Sequence, residues 1–185
     1  QVAIDLHGHV DQRMLGELFD HMVKETDAGI VVRGPRVLAT LGPLSDEIAV
    51  YPVRNAQLEG TEDAWRYAFA FAIPCGTPGL RFLCRESFDL DRSSFDHPLG
   101  SRFEEMDAII FMDDVFVPWE RVFLYRDVEL ANNLSPRTHQ YNHSGHQVVT
   151  KNVAKCEFVL GVAAMMVEIL GSESIGQVQA LLAEL

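Results

Sequence analysis

Three histidines lie close together before a long apolar stretch, and imidazole nitrogens at such spacings could bind a metal ion. They are His139, His143 and His146, separated by four and three positions, which places them near one another if the segment is helical. A zinc site of this kind would need a carboxylate or a cysteine nearby, and the surrounding sequence offers neither. We therefore expect these side chains to bond to solvent or backbone, and we assign no metal.

The cysteines offer a second kind of chemistry, because thiolates act as nucleophiles, metal ligands and redox groups. Cys75, Cys84 and Cys156 are odd in number and lie at unrelated spacings, without a Cys-x-x-Cys pair. Their pattern favours small core residues in a reducing cytoplasm over a secreted disulfide framework. The sequence also lacks G-x-S-x-G, H-E-x-x-H and a glycine-rich phosphate loop. The residues alone present no self-contained catalytic set, and we assign no catalytic residue.

The composition is that of a folded globular protein. The 185 residues are 48% hydrophobic and 23% charged, enough for one sizeable core or for a domain and part of another. The formal net charge of −12 argues against a nucleic-acid surface, which would need a basic stripe to displace counterions from phosphate. The chain begins at Gln1, and neither a signal peptide nor a membrane span is visible. We expect a cytoplasmic protein and a piece of a longer chain.

The spacing of the apolar residues in the first half of the chain changes near Gly29. Before that point an apolar stripe follows Asp11, which can serve as an N-cap, and predicts an amphipathic helix. The stripe consists of Met14, Leu15, Leu18, Phe19, Met22 and Val23. After that point Gly34-Pro35 and Gly42-Pro43 separate short β-rich runs and predict hairpins. These runs are residues 29–33, 36–41 and 46–53.

The next stretch alternates between bulky and small side chains. Aromatic and aliphatic residues occupy every second position from Trp65 to Ile73, with alanines at positions 68, 70 and 72. The alternation predicts a strand with a bare alanine face, on which we favour a packed helix or sheet layer over a flat ligand. A further strand over residues 80–84 follows the Thr77-Pro78-Gly79 turn. Together the runs predict about six strands and a small barrel or sandwich.

Residues 96–125 form the most informative segment. Positions 107–117 are apolar nearly throughout, which predicts a strand that is buried on both faces. Asp113-Asp114 interrupts the run as the carboxylates of a tight turn or bulge do. Pro118 ends the strand, because proline has no amide hydrogen to donate to a neighbouring strand.

The sequence pattern of the C-terminal third predicts helices. A loop over residues 132–136 precedes one long helix over residues 144–170, with Gly171 at its C-cap. From Phe158 onward that helix is apolar on nearly all sides, so it must be covered. A second helix begins at the capping-box pair Ser174 and Gln177 and runs to the last residue. We expect a helical bundle that continues beyond this sequence or in another subunit.

Short segments in one order along most of the chain point to a known family. They are TDAGIVVRG at 26–34, LATL at 38–41, DE at 46–47, AIP at 72–74, TPGL at 77–80, CRE at 84–86, residues 96–125, DVELANN at 127–133 and HQVV at 146–149. These segments resemble the oxygenase component of 4-hydroxyphenylacetate 3-hydroxylases, flavin-dependent phenol monooxygenases built on the acyl-CoA dehydrogenase fold.

The resemblance implies an α+β fold in three parts. Residues 1–25 would be a linker and amphipathic helix, and residues 26–125 an acyl-CoA dehydrogenase-like middle β-barrel domain. Residues 126–185 would begin a C-terminal helical domain through which such enzymes form tetramers. The family's N-terminal helical domain, which supplies the arginine, tyrosine and histidine that hold the substrate, is missing from this chain.

The resemblance also implies a cofactor, partners and site residues. In this family FADH2 from a separate flavin reductase activates oxygen, and a phenol such as 4-hydroxyphenylacetate is hydroxylated ortho to its hydroxyl group. The threonine of the Leu-Ala-Thr-Leu strand contacts FAD, which makes Thr40 the expected cofactor-binding residue. Pro52 and Val53, in the loop after the next strand, are expected at the phenol pocket. Without the resemblance, Thr40 would be an ordinary β-branched strand residue.

Two other interpretations remain open. The chain could be a non-catalytic remnant or structural module that keeps the fold and the oligomer surface. It could also be a piece of a 4-hydroxybutyryl-CoA dehydratase-like enzyme, which holds an iron–sulfur cluster with cysteine and histidine ligands. The dehydratase is disfavoured because the residues around Lys151 supply no cysteine and Cys156 lies further along the long helix.

Overall fold

The computed structural model describes residues 20–52, 58, 62–89 and 93–184. The chain divides into two compact units, the first ending at Asn133 and the second beginning at Leu134. The described strands are β1 His21–Thr26, β2 Gly29–Thr40, β3 Glu47–Val50, β4 Phe69–Pro74, β5 Leu80–Cys84, β6 Asp107–Pro118 and β7 Val122–Tyr125. The described helices are α1 Val128–Thr138, α2 Gln140–Ile169 and α3 Gly176–Glu184. This is the mixed α and β fold expected from the sequence.

The strands form two antiparallel sheets that share one core. The first sheet has the order β1-β2-β6-β5 and the second the order β3-β4-β7. Inward-facing residues of both sheets meet in one apolar cluster that includes Ile30, Val32, Phe69, Phe71 and Val115, each at most 1% exposed. Within the described part of the chain the sheets stay open, with no strand pairing that joins them into a barrel.

The longest pairing, between β2 and β6, contains the bulge that the sequence predicts. Val32 pairs with Val115 and Gly34 with Met112, so two residues of β6 oppose one residue of β2. The extra position is at Asp113-Asp114, where Asp114 has a φ of 53°. The hairpin predicted at Gly34-Pro35 is wrong, because β2 continues through it. The chain turns instead between β1 and β2, where the Thr26 hydroxyl and the Gly29 backbone bond to each other.

β6 is buried on one face, and the prediction of burial on both faces is wrong for this chain. Ala108, Ile110 and Met112 point into the core, while Phe111 and Phe116 on the other face are 40% and 43% exposed. The apolar run therefore comprises a core face and an uncovered face. Apolar composition alone cannot tell these two faces apart.

The alanine face is covered as the sequence predicts. Ala68 and Ala70 lie at most 2% exposed and pack with Leu124 of β7 and Ala131 of α1. Small side chains there allow a helix to approach the sheet closely. The strand itself is shorter than predicted, because Ala64–Tyr67 is a turn of 3₁₀ helix and β4 begins at Phe69.

Two further predictions need correction. The loop expected over residues 132–136 is helical and belongs to α1, which contains Pro136. Met22 and Val23, expected on an amphipathic helix, lie in strand β1, where Met22 is buried in the core. The rest of that predicted helix, residues 11–19, lies outside the described residues.

The second unit consists mainly of the 30-residue helix α2 and the shorter α3. Gly171 follows α2 with a φ of 61°, and its amide donates to the Glu168 carbonyl, which confirms the predicted C-cap. No described residue of α2 is buried, and large apolar side chains such as Phe158, Met165 and Ile169 are more than half exposed. In the described part of the chain, no helix is both long and apolar enough to cross a membrane.

We expect Gly79→Ala to destabilise the first unit. Gly79 has a φ of 86°, and a Cβ there would collide with the backbone oxygen of Asp113 in the bulge of β6. Strain of this kind costs about 1–3 kcal/mol, measurable as a lower free energy of unfolding in urea. Gly76→Ala is the matched control, because a Cβ at that position meets nothing within 4 Å. Equal stabilities of the two variants would contradict the prediction.

Candidate functional site

Thr40, the expected cofactor contact, is the last residue of β2 and is exposed. It pairs with Asp107, the first residue of β6, so these two residues form one end of the β2–β6 pairing. The Thr40 hydroxyl donates a hydrogen bond of 2.6 Å to Oδ1 of Asp107. Because a carboxylate has no hydrogen to give, the direction of this bond is fixed, and the lone pairs of the Thr40 oxygen remain available as acceptors.

Arg85, the residue after β5, connects Asp107 to a neighbouring carboxylate. Its Nη2 donates to Oε1 of Glu104 at 2.6 Å, and its Nε lies 3.5 Å from Oδ2 of Asp107. The same guanidinium donates to the backbone oxygens of Glu86 and Glu105, each at 2.8 Å. A planar guanidinium with several fixed donors suits such a junction. We call Arg85, Glu104 and Asp107 the Arg85 cluster.

Glu104 is the most strongly held carboxylate of the Arg85 cluster. Besides Arg85, it accepts hydrogen bonds from the Ser87 hydroxyl at 2.7 Å and from the Phe88 amide at 2.8 Å. These bonds, that of Arg85 foremost, stabilise the charged form and lower the pKa of Glu104 to about 2. The Phe88 ring also lies 4.0 Å from the Arg85 guanidinium carbon. The segment that follows β5 and the segment that leads into β6 are therefore both held by the Arg85 guanidinium.

Several exposed apolar side chains are close in the sequence to Thr40 and to the residues of the Arg85 cluster. Leu38 and Leu41, on either side of Thr40, are 66% and 41% exposed, and Phe88 and Phe103 near the carboxylates are also exposed. Surface of this kind, with a few polar groups placed within it, is typical of ligand sites. The end of the β2–β6 pairing therefore presents exposed apolar side chains beside a hydrogen-bond acceptor, the Thr40 oxygen.

Pro52, expected at the phenol pocket, follows β3 and is half-buried. The preceding residue, Tyr51, accepts a hydrogen bond of 2.5 Å from Arg36 through its backbone oxygen. Arg36 also forms an ion pair of 2.9 Å with Asp20, whose pKa is raised because burial outweighs the attraction of Arg36. The segment before Pro52 is thus tied to β2, the strand that carries Thr40. Val53 lies outside the described residues.

Three residues of the Thr40 environment were not predicted as site residues from the sequence, namely Arg85, Glu104 and Asp107. An acidic residue at the start of an apolar strand was the available signal for Asp107. Glu104 carried no such signal, because only the folded chain brings it to Arg85. Among the described residues, no group of three or more histidine, cysteine or acidic side chains is arranged to hold a metal ion.

Solved structures define the class of the fold. A crystal structure of the oxygenase component of 4-hydroxyphenylacetate 3-monooxygenase, complexed with FAD and 4-hydroxyphenylacetate, matches with a TM-score of 0.83 and 48% identity. The match covers 91% of this chain and 34% of that one. An archaeal 4-hydroxybutyryl-CoA dehydratase matches with a TM-score of 0.74 at 24% identity, over 90% of this chain and 32% of that one, and shows the same fold only. The fold is of the acyl-CoA dehydrogenase-like class.

Two family models then identify the family. The model described as 4-hydroxyphenylacetate 3-hydroxylase N terminal matches residues 4–124, and the model of the C terminal part of the same enzyme matches residues 131–185. The chain belongs to the 4-hydroxyphenylacetate 3-hydroxylase family.

Curated relatives agree with this membership. The chain is 51% identical to the 4-hydroxyphenylacetate 3-monooxygenase oxygenase component of Thermus thermophilus, over 89% of this chain and 33% of that protein. It is 36% identical to the pyoverdin chromophore biosynthetic protein PvcC of Pseudomonas aeruginosa, over 91% of this chain and 34% of that one. It is 33% identical to the oxygenase component of a Rhodococcus 4-nitrophenol 2-monooxygenase, over 89% and 31%. The chain spans about a third of the length of these relatives.

The Arg85 cluster should make stability depend on acid pH through Glu104. The folded-state pKa of about 2 lies below the ordinary value of 4.5, so the stabilisation is complete above pH 4.5 and is lost as the pH falls toward 2. We expect Glu104→Gln to be less stable than the wild type at neutral pH and to show a smaller loss of stability across that window.

The measurement is urea unfolding at a series of pH values. Glu105→Gln is the matched control, because this exposed neighbour leaves the three hydrogen bonds to Glu104 in place. Identical pH profiles for Glu104→Gln and the wild type would show that the cluster does not hold this carboxylate.

Proposed function

We propose that this chain is part of the oxygenase component of a two-component, FADH2-dependent aromatic monooxygenase that hydroxylates a phenol ortho to its hydroxyl group. The observation that carries the proposal is the match of both family models, in order, along the chain. The Thermus thermophilus relative is named for the 4-hydroxyphenylacetate reaction. 4-Hydroxyphenylacetate is therefore the first substrate to test, and the Rhodococcus relative makes 4-nitrophenol the second.

The residues at the end of β2 fit a flavin. An isoalloxazine ring has an apolar dimethylbenzene side and a polar edge with N–H and C=O groups. The Thr40 oxygen could accept a hydrogen bond from an N–H of that edge. The exposed side chains of Leu38 and Leu41 could pack against the apolar part of the ring. When bound, reduced flavin supplies the activation of oxygen. The part of this chain would be to orient the ring and to exclude water beside it.

The substrate side of the site involves the segment after β3. Pro52 and Val53 are the residues we propose to border the phenol pocket. Arg36 supports this placement for Pro52, because its bond to the Tyr51 oxygen ties the segment to the strand of Thr40. We assign no catalytic side chain to the chain. In the complete protein we expect the two sheets to belong to a closed β-barrel domain.

The proposed partners are a flavin reductase, which supplies FADH2, and further copies of the same subunit in a homotetramer. The uncovered apolar residues of α2 support association through this helix, since exposed apolar patches of this extent mark interfaces. We propose a cytoplasmic location, in keeping with the three free cysteines.

The proposed activity can be tested with the complete natural protein that contains this sequence. Purified protein is supplied with FADH2 by a flavin reductase, oxygen and 4-hydroxyphenylacetate or 4-nitrophenol. We expect a catechol product in stoichiometric relation to the NADH consumed, with little hydrogen peroxide. Consumption of NADH with only hydrogen peroxide as product, for every phenol tried, would favour the non-catalytic interpretation.

Removal of the Thr40 hydroxyl should weaken cofactor binding. We expect Thr40→Val to raise the dissociation constant of FADH2 roughly threefold to tenfold, since the variant keeps the β-branched shape and loses one hydrogen bond. Thr40→Ser is the matched control and should bind as the wild type does, because it retains the hydroxyl. Anaerobic fluorescence titration gives both constants. Unchanged affinity in Thr40→Val would remove this residue from the site.

A further inference from the structure

Arg36 connects β2 to two other parts of the first unit, one before β1 and one after β3. We propose that Arg36, held by the buried Asp20, is a positioning residue that sets the course of the chain after β3 and thereby determines which phenols the site accepts. This role rests on the proposed function, because it requires Pro52 and Val53 at the phenol pocket. Arg36 and Asp20 would act on that pocket through the backbone of Tyr51.

The side chain of Arg36 lies on the core side of β2. Arg36 pairs with Ile110 of β6, which is 3% exposed and belongs to the core, and residues paired directly across two strands point to the same face. From there the guanidinium reaches Asp20 and the backbone oxygen of Tyr51. Because Tyr51 follows β3, Arg36 links the first sheet to the end of a strand of the second sheet.

Asp20 holds the guanidinium from the side of the core. The Asp20 side chain is 1% exposed, and its Oδ1 accepts a hydrogen bond of 2.9 Å from Nε of Arg36. Among the described residues, Oδ2 of Asp20 has no hydrogen-bond partner. Burial of an unpaired carboxylate is costly, so a carboxylate in this position depends strongly on the cation beside it. Asp20 therefore keeps the Arg36 side chain in place.

The second bond of the guanidinium orients the peptide group that leads into Pro52. Nη1 of Arg36 donates to the Tyr51 oxygen at 2.5 Å. This oxygen belongs to the planar peptide bond between Tyr51 and Pro52, so its orientation also fixes the direction in which the chain continues. Pro52 adds no backbone donor, because proline lacks an amide hydrogen. The pairing of β3 with β4 ends at Val50 and Phe71. Arg36 therefore orients the chain where strand pairing no longer does.

The orientation of this peptide group matters for the wall of the proposed pocket. If Pro52 and Val53 border the phenol, rotation of the preceding peptide group would move the wall that they form. A wall held in one position favours the phenol that fits it, whereas a released wall binds several phenols less tightly. Binding of the phenol should therefore depend on Arg36, and binding of flavin should not.

Arg36→Lys separates the two contacts of the guanidinium. An ammonium group keeps the charge but lacks the planar fork, so it can stay paired with the buried Asp20 while the bond to Tyr51 is lost. We expect KM for the preferred phenol to rise roughly threefold to tenfold, with kcat and the dissociation constant of FADH2 changed by less than about twofold. The ratio of kcat/KM between 4-hydroxyphenylacetate and 4-nitrophenol should move toward one.

The measurements use the complete natural protein that contains this sequence. Steady-state kinetics, with FADH2 supplied by a flavin reductase, give KM and kcat for both phenols. Anaerobic fluorescence titration gives the dissociation constant of FADH2. A rise in KM without a fall in kcat or in flavin affinity distinguishes positioning of the phenol from general damage to the fold.

Arg33→Lys is the matched control. Arg33 lies on the same strand and forms a forked pair with Asp114, with both bonds at 2.8 Å. This pair is more than half exposed, and its bonds lead to β6 and not to the chain after β3. The same substitution at this position should therefore leave KM and the ratio of kcat/KM between the two phenols unchanged.

Asp20→Asn tests whether Asp20 acts through Arg36. Asparagine keeps the shape and an acceptor oxygen but loses the charge, so we expect KM to rise in the same direction as in Arg36→Lys and by less. The double variant should have the KM of Arg36→Lys alone, because the bond to Tyr51 is already lost there. Additive effects of the two substitutions on KM would contradict a role of Asp20 through Arg36.

The outcomes separate this role from the proposed function. Hydroxylation of no phenol by the wild type would overturn both. Hydroxylation by the wild type, together with unchanged KM and selectivity in Arg36→Lys, would overturn the positioning role alone. An equal rise of KM in Arg33→Lys would also overturn it, because the effect would then be common to cations of this strand. Thermal unfolding is measured for each variant, and if Arg36→Lys unfolds below the assay temperature, the KM of Asp20→Asn decides.

Discussion

The antiparallel pairing of β2 with β6 is the constraint on which the rest of the first unit depends. Both strands are 12 residues long, and both lie in the interior of their sheet, with β1 on one side and β5 on the other. Their inward residues, such as Val32 and Val115, supply much of the shared core. Because side chains alternate along a strand, the register that buries these residues, together with the two register shifts within the pairing, fixes which residues meet at its ends. Thr40 and Asp107 are the pair at one end.

The bulge in β6 keeps that register compatible with the hydrophobic pattern. Without the extra residue at Asp113-Asp114, either Met112 or Val115 would be turned out of the core. Charged residues on the outward side accompany the bulge, where Arg33 bonds to Asp114 and Arg81 to Asp113. These pairs are more than half exposed and contribute little stability. These ion pairs order the residues around the bulge of β6, whereas burial of the core residues holds β2 and β6 together.

The sequence predicts what depends on local residue type and misses what depends on distant contacts. The bulge, the C-cap at Gly171 and the packed alanine face follow from carboxylates, glycine and small side chains at their own positions. The continuity of β2 through Gly34-Pro35 does not, because it results from pairing with β6 some 75 positions away. The role of Glu104 was missed for the same reason. Thr40 was found only through the family resemblance, and its contact with flavin stays a prediction.

The partly buried position of the Arg85 cluster bears on what such a cluster can do. The side chains of Arg85, Glu104 and Asp107 are 26%, 16% and 32% exposed, so solvent screens their ion pairs in part. Several hydrogen bonds on one guanidinium nevertheless restrict the geometry of every group that they join. The main effect of the Arg85 cluster is therefore on geometry, because Asp107 fixes the direction in which the Thr40 hydroxyl hydrogen points. A group that meets Thr40 there would encounter a hydrogen-bond acceptor whose polarity is already set by the folded chain.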